Sequence, residues 1–295
     1  MDRVENILWQ TKFLKDKNWL KVKNLLQQSI NEYPEDSRLH FELAELYYSK
    51  KLFVKAINIY QQIIYIDGES DEINFRIGNC FLALKEFLLA IDYYEKVDEY
   101  FPELYYNKAY TYSKLGKVDT SIGIMEDLLV NQTNSEIPYI FLAELLFNQK
   151  KYTLALEYLE EAESLFGKQS SIFYLKGIAY FHLENWLKSY LEFKQAENLK
   201  LESYHFFRAY GLTCEKIGKT EEGIRNLLRS IKLDPLSATS YLELIRIYLD
   251  HDRVMEAYSI MQHARRNIPF SISLSLLYNQ ILQRIDGKRI NNPHE

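Results

Sequence analysis

Few residues in this chain have the types and spacings that chemistry requires. Gly218-Lys219-Thr220 ends like a phosphate-binding loop, in which backbone amides cradle the phosphates and the lysine neutralises them. Such a loop also needs a glycine at the position Thr213 occupies, and a strand before it; here the triplet falls in a polar turn between two helical patterns. The histidines (His40, His182, His205, His251, His263, His294) have no i, i+4 partner of the kind that makes a helical zinc site, and read as surface or packing residues. Cys80 and Cys214 lie far apart and suggest neither a disulfide framework nor a paired metal motif. No Gly-x-Ser-x-Gly elbow is present. Glu160, Glu161 and Glu163 read as a solvated helix face, and Asn131-Gln132-Thr133 is a glycosylation acceptor that matters only in a secreted chain. The expectation is no enzyme, no cofactor and no metal.

Composition bounds the remaining classes. Gly and Pro are scarce, at 10 and 6 of 295 residues, which suits helices. A net charge of -5 argues against a phosphate-neutralising surface, so no nucleic-acid partner is expected. The longest apolar stretch, residues 139–147, contains Glu144 and is far short of the roughly 20 residues that span a bilayer, so no membrane insertion is expected. The first twenty residues interrupt their apolar positions with charges, unlike a signal peptide. A cytoplasmic protein is the resulting expectation.

What must position any functional side chain is a repeated helix pair. Residues 37–70 read as two amphipathic helices joined by a polar turn at Lys50-Lys51. Sliding the chain by 34 aligns Ala56 with Ala90; a step of 31 reaches Ser121, and further steps of 34 reach Ala155, Ser189, Gly223 and Ala257, with Val22 before them. A second small position recurs in the first helix as Ala44, Gly78, Ala109, Ala143, Gly177 and Gly211, with Gln10 and Ile245 as the exceptions. Small residues at both positions let two helices cross closely. Large ones follow, Phe13, Tyr47, Phe81, Tyr112, Leu146, Tyr180 and Tyr248 in the first helix. In the second they are Leu26, Tyr60, Tyr94, Met125, Leu159, Phe193, Leu227 and Met261, so ridges meet grooves. The turn position is never apolar: Lys17, Lys51, Lys85, Gly116, Lys150, Glu184, Gly218 and Asp252. Pro34, Pro102, Pro235 and Pro269 mark ends of second helices, with Gly68 and Gly167 in two other copies.

On these residues the chain resembles the tetratricopeptide repeat, whose period is 34 and whose signature runs W-x2-L-G-x2-Y, A-x3-F, P. Residues 74–81 (NFRIGNCF), 90–94 (AIDYY) and Pro102 show it well, as do residues 173–180 and 186–193. The resemblance implies an all-α superhelical solenoid of about eight helix pairs, with copies at 3–36, 37–70, 71–104, 105–135, 136–169, 170–203, 204–237 and 238–271. A capping helix is expected over 272–286, ended by Gly287, and a disordered tail over 287–295. The step of 31 is met either by a helix started directly at Pro102 or by a change of superhelical pitch between 3–104 and 105–271.

In that family the first helix of each pair lines a concave groove that takes peptide segments, so the resemblance implies a protein partner. The groove positions read Phe41, Glu45 and Tyr48, then Phe75, Arg76 and Asn79, then Tyr106, Asn107 and Tyr110. Further along come Phe141, Glu144 and Phe147, then Tyr174, Ile178 and Phe181, before the face turns polar at His205, Arg208 and Arg246. Aromatic residues are typical interface anchors, and in repeats they also serve packing. Lys108 and Lys176 stand where the signature prefers Leu; the reading is a packed stem with its amine in water, the rival a ligand contact. The family's carboxylate clamp for chaperone C-terminal tails is disfavoured: Asn79 and Asn107 fit, but Phe75 stands in place of Lys and no Lys/Arg pair follows. An asparagine ladder is absent, the positions reading Leu8, Glu42, Arg76, Asn107, Phe141, Leu175, Ala209 and Glu243. The expected function is a non-catalytic scaffold or adaptor; the alternatives are a self-assembling homo-oligomeric platform or the regulatory subunit of a separate enzyme.

Overall fold

The repeat seen in the sequence is a repeat of helix pairs in the computed structural model, which describes residues 3–14, 18–99, 101–130 and 135–291. Among the described residues every regular element is a helix. The chain divides into two compact units, Met1–Asn134 and Ser135–Glu295. The first unit holds four pairs: α1 (Arg3–Leu14) with α2 (Trp19–Glu32), α3 (Ser37–Ser49) with α4 (Phe53–Asp67), α5 (Asp71–Ala83) with α6 (Phe87–Tyr94), and α7 (Pro102–Lys114) with α8 (Val118–Val130). The second holds α9 (Ile137–Asn148) with α10 (Tyr152–Phe166), α11 (Ser170–His182) with α12 (Trp186–Asn198), α13 (Tyr204–Lys216) with α14 (Thr220–Leu233), α15 (Ala238–Asp250) with α16 (Val254–Asn267), and then α17 (Ile272–Asn291).

In three pairs contacts between the two small positions are seen directly. Where the second is serine, its hydroxyl donates to the carbonyl of the first: Ser121 to Ala109 at 2.6 Å and Ser189 to Gly177 at 2.9 Å. In α13 and α14 both are glycine, and a Cβ on Gly211 would lie 2.9 Å from the Gly223 carbonyl oxygen. Against this seam the large residues of the second helices, from Leu26 and Tyr60 to Phe193 and Met261, are fully buried. They organise hydrophobic clusters around Tyr60 and Tyr94 in the first unit and around Phe193 and Ile245 in the second.

Every turn position among the described residues is left-handed: Lys51, Lys85, Lys150, Glu184 and Asp252 have φ between 56° and 63°, and Gly116 and Gly218 have 76°. The turn geometry is thus constant although only two copies supply glycine; Lys17 lies outside the described residues. Some helix starts are capped by a short polar side chain, as when Asp36 accepts from the Arg38 amide at 3.2 Å and Ser70 from the Ile73 amide at 3.4 Å, whereas Ser203 and Ser237 make no such bond to the helices they precede.

Four expectations are corrected. Gln10 and Phe13 are exposed, and α1 buries Val4 and Thr11 instead; its packing face is turned by one residue, leaving Phe13 stacked on Trp9 at 6.1 Å. Pro102 does not end a second helix: α6 stops at Tyr94, the Asp98 and Glu99 amides donate to Asp71, and Pro102 begins α7 at its favoured first turn. The short step is therefore a short second helix followed by a proline-started first helix, which opens three residues before 105. Gly287 does not end the last helix, which runs to Asn291; one interior glycine costs about 1 kcal/mol and does not stop a helix. Residues 131–133 and 292–295 lie outside the described residues.

Candidate functional site

In the first unit α1 packs beside α3 and α5 beside α7; in the second, α9, α11, α13 and α15 follow one another side by side. These first helices carry the candidate residues. In the first unit Phe41, Glu45, Tyr48, Phe75, Arg76 and Asn79 are all half-buried, as are Tyr106, Asn107 and Tyr110.

Polar atoms of Glu45, Arg76, Asn79 and Asn107 enter two separate hydrogen-bonded and ionic groups. Tyr60 on α4 donates to the Glu45 carboxylate, and the Arg76 guanidinium lies 3.6 Å from both Glu45 and Glu72 and 5.8 Å over the Phe41 ring. Tyr94 on α6 donates to Asn79 Oδ1 at 2.7 Å, and Asn107 Nδ2 donates to the same oxygen at 2.9 Å, tying α5 to α7. Burial, and then the Glu45 bond, raise the Tyr60 hydroxyl above the ordinary phenol range; burial does the same to Tyr94. Both hydroxyls therefore remain donors at neutral pH. Sequence reasoning assigned these two tyrosines to packing alone. The signal was available: only these two copies place a hydroxyl at the large position of the second helix, and in both the partner lies fifteen residues earlier.

Three of these aromatic rings pack against other rings of the chain. Phe41 meets Tyr60 edge-on at 6.2 Å, Tyr48 meets Phe53 at 5.4 Å, and Phe75 meets Phe101 at 4.7 Å. Lys114 sits 4.8 Å over the Tyr110 ring. What is left is a wall of partly covered rings held in fixed orientations.

The second unit is less uniform. Phe141 is only 8 % exposed, because α9 is apolar on most sides and Leu142, Ala143, Leu145 and Leu146 are buried with it; this ring offers little surface to a partner. Glu144 is exposed and Phe147 half-buried against Tyr152 at 5.8 Å. Tyr174, Ile178 and Phe181 are half-buried; Tyr174 packs on Phe193 and Phe206, each at 6.2 Å, and Phe181 on Trp186 at 5.1 Å. His205 and Arg246 are exposed, and Arg208 lies 3.7 Å from Glu243.

Both signature-breaking lysines pair with carboxylates of their own chain. Lys108 Nζ is 3.1 Å from Glu95. Lys176, 7 % exposed, lies 2.7 Å from Glu163 and 3.4 Å from Glu192. Burial disfavours its charge, but the bond to Glu163 and the field of both carboxylates outweigh this and hold its pKa above the ordinary value. Glu192 is raised by burial, with Lys176 opposing. Cys80 and Cys214 are fully buried, and burial pushes both thiols up to about 12, which removes thiolate chemistry at neutral pH. Lys219, the candidate phosphate lysine, donates to the Tyr190 hydroxyl at 2.7 Å. Among the described residues no group of three His, Cys, Asp or Glu could hold a metal ion, and no helix is long and apolar enough to cross a membrane.

Similarity to known proteins falls on these same helix pairs. Residues 23–68 match the family model "YpiA-like, tetratricopeptide repeats" and residues 71–104 "Tetratricopeptide repeat". Residues 114–190 match "Anaphase-promoting complex, cyclosome, subunit 3". A tetratricopeptide repeat-containing protein of Methanocaldococcus jannaschii is 25% identical over 156 residues, 52% of this chain but 27% of that relative, so the chain spans about a quarter of its length. Among solved structures, a repeat protein from Parabacteroides merdae has a TM-score of 0.61 at 12% identity, covering 83% of this chain and 98% of its own. The C-terminal part of a repeat protein from Cytophaga hutchinsonii has 0.62 at 18% identity, covering 79% and 97%. The anaphase-promoting-complex assembly Cut9–Hcn1 has 0.61 at 16% identity, covering 96% of this chain and 57% of that one. At these identities the structural likenesses speak for the fold alone.

Proposed function

Because the chain belongs to the tetratricopeptide-repeat proteins, we propose that it is a non-catalytic scaffold or adaptor, working in the cytoplasm, that holds a segment of a partner protein against the faces lined by its first helices. One observation carries this reading. The candidate rings other than Phe141 are half-buried, several of them packed against other rings of the chain, while Glu45, Asn79 and Asn107 already have hydrogen-bond partners. Such a face is organised before any partner arrives, which lowers the ordering cost of binding. A chaperone C-terminal tail is a poor fit, since Phe75 occupies the lysine position of the clamp and packs into the fold.

The experiment is affinity capture from the source cells with mass spectrometry, comparing wild type with Tyr48→Ala/Tyr106→Ala and with Ile178→Ala/Phe181→Ala. Partner loss in either variant, with helicity by circular dichroism intact, is the expected result. Undiminished capture by both removes the reading.

A second reading is self-assembly through the first repeat. Trp9 and Phe13 are stacked and exposed at 60% and 62%, an apolar pair a second copy could cover. Light scattering behind size exclusion decides it: a concentration-independent monomer rejects self-assembly.

A further inference from the structure

We infer that the first unit carries a cleft for a basic peptide segment with an aliphatic anchor. The inference deepens the partner-binding reading and rests on it. Beside the aromatic row, α1, α3, α4 and α5 enclose an open cleft of about 390 Å³, within the roughly 300–1,000 Å³ typical of ligand pockets. Its floor is apolar: Leu8 and Phe41 are half-buried, and Ile63 and Ile73 are each 5% exposed. An apolar floor of this kind takes an aliphatic side chain.

The rim is acidic. Glu42, Asp67 and Glu72 stand around the opening. Among the described residues Glu42 and Asp67 have no hydrogen bond or ion pair to their own chain. Glu72 is 3.6 Å from Arg76, which it shares with Glu45. The one basic residue of the rim, Arg38, is occupied by Asp36 at 2.6 Å and 2.9 Å. The cleft is thus flanked by uncompensated negative charge. The imbalance extends through the unit: residues 1–134 hold 16 Lys and Arg against 21 Asp and Glu, whereas residues 135–295 hold 20 against 20. The whole net charge of -5 therefore belongs to the unit with the cleft. A segment placing a Leu or Ile next to Lys or Arg complements both floor and rim, and its approach is steered by the surrounding field.

The test uses the full chain and three labelled synthetic peptides, read by fluorescence anisotropy. The first has Lys-Leu-Arg-Leu-Lys at its centre, the second has Glu at each basic position, and the third has Gly at each Leu. The first should bind about tenfold or more tighter than either of the others, and should weaken as salt rises from about 50 to about 200 mM. Glu42→Lys/Asp67→Lys should lower its affinity about tenfold or more, with the circular dichroism spectrum retained. Glu86→Lys/Asp92→Lys, the same charge change in the same unit but away from the cleft, should leave affinity within about twofold, since screening confines exposed charges to short range. No binding of the first peptide overturns the inference. So does equal binding of the Glu or Gly peptide, or equal loss in both double variants. A shift to dimers that displaces the peptide identifies a second copy as the occupant and overturns it too. Running Glu42→Lys/Asp67→Lys through the cell capture separates the two readings. A partner lost by the aromatic variants but kept by this one leaves the scaffold reading standing and the cleft without its role.

Discussion

At the scale of single residues, the close crossing of each helix pair sets a sharp size limit. Gly211 has no room for a side chain: a Cβ there meets the Gly223 carbonyl oxygen at 2.9 Å and Leu227 Cγ at 2.9 Å, and the backbone cannot give way cheaply. Gly211→Ala should therefore destabilise by about 1–3 kcal/mol through overpacking. Gly123, inside α8, meets nothing within 4 Å, so Gly123→Ala should instead stabilise by up to about 1 kcal/mol through helix propensity. Thermal melts of the two variants must move in opposite directions; a shared direction breaks the packing argument. A second residue-scale effect sits in the turns. Lys51 and Lys150 both hold φ of 58°, a region that costs a non-glycine residue roughly 1–2 kcal/mol. Lys51→Gly and Lys150→Gly should each gain about 0.5 kcal/mol after the entropy that glycine adds to the unfolded chain. Chemical denaturation with an unchanged m-value is the measurement.

At the scale of elements, Lys176 shows how one substitution in the repeat signature ties three helices together. From α11 it reaches Glu163 on α10 and Glu192 on α12. Removing it strands two carboxylates that keep only 29% and 18% exposure, so Lys176→Met should cost about 2–3 kcal/mol at pH 7, below the roughly 3–5 expected of a fully buried pair. The pH dependence follows from the directions of the shifts. Glu192 is raised in the folded chain, so its ionised form is disfavoured there, and the native state gains as pH falls through its titration. Lys176 opposes that rise, and its own raised pKa means its contribution is complete below 10.5 and is lost only as pH climbs past that value. The deficit of Lys176→Met should thus be largest near neutrality and shrink as pH falls through the carboxylate range. Urea titrations at several pH values test it; a deficit constant with pH would mean the loss is one of packing.

At the scale of the whole molecule, each compact unit holds its own hydrophobic clusters, those around Tyr60 and Tyr94 in Met1–Asn134 and those around Phe193 and Ile245 in Ser135–Glu295. Repeat arrays derive stability from each pair and its nearest neighbours. Residues 1–134 and 135–295, produced separately, should therefore each give a helical spectrum and a cooperative melt. A fragment that stays unfolded shows that its clusters depend on the rest of the chain.

The sequence by itself determined the helix pairs, their turns and the buried seam. The small and large residues typified by Ala44, Ala56 and Tyr60 recur at fixed offsets, and packing is read from periodicity because most copies solve the same problem in the same way, the first being the exception with its face turned by one residue. It also pointed to the candidate face, since Phe41, Glu45 and Tyr48 vary where the seam does not. Only the tertiary structure decided how much of each side chain remains for a partner. Phe141 sinks into its unit, Lys176 is consumed by two carboxylates, and Tyr60 and Tyr94 reach across to Glu45 and Asn79. The cleft between Leu8, Phe41, Ile63 and Ile73 likewise draws on four helices. Periodicity reports which face of a helix is inward, but exposure and pairing depend on atoms supplied by neighbouring helices, and those vary from copy to copy.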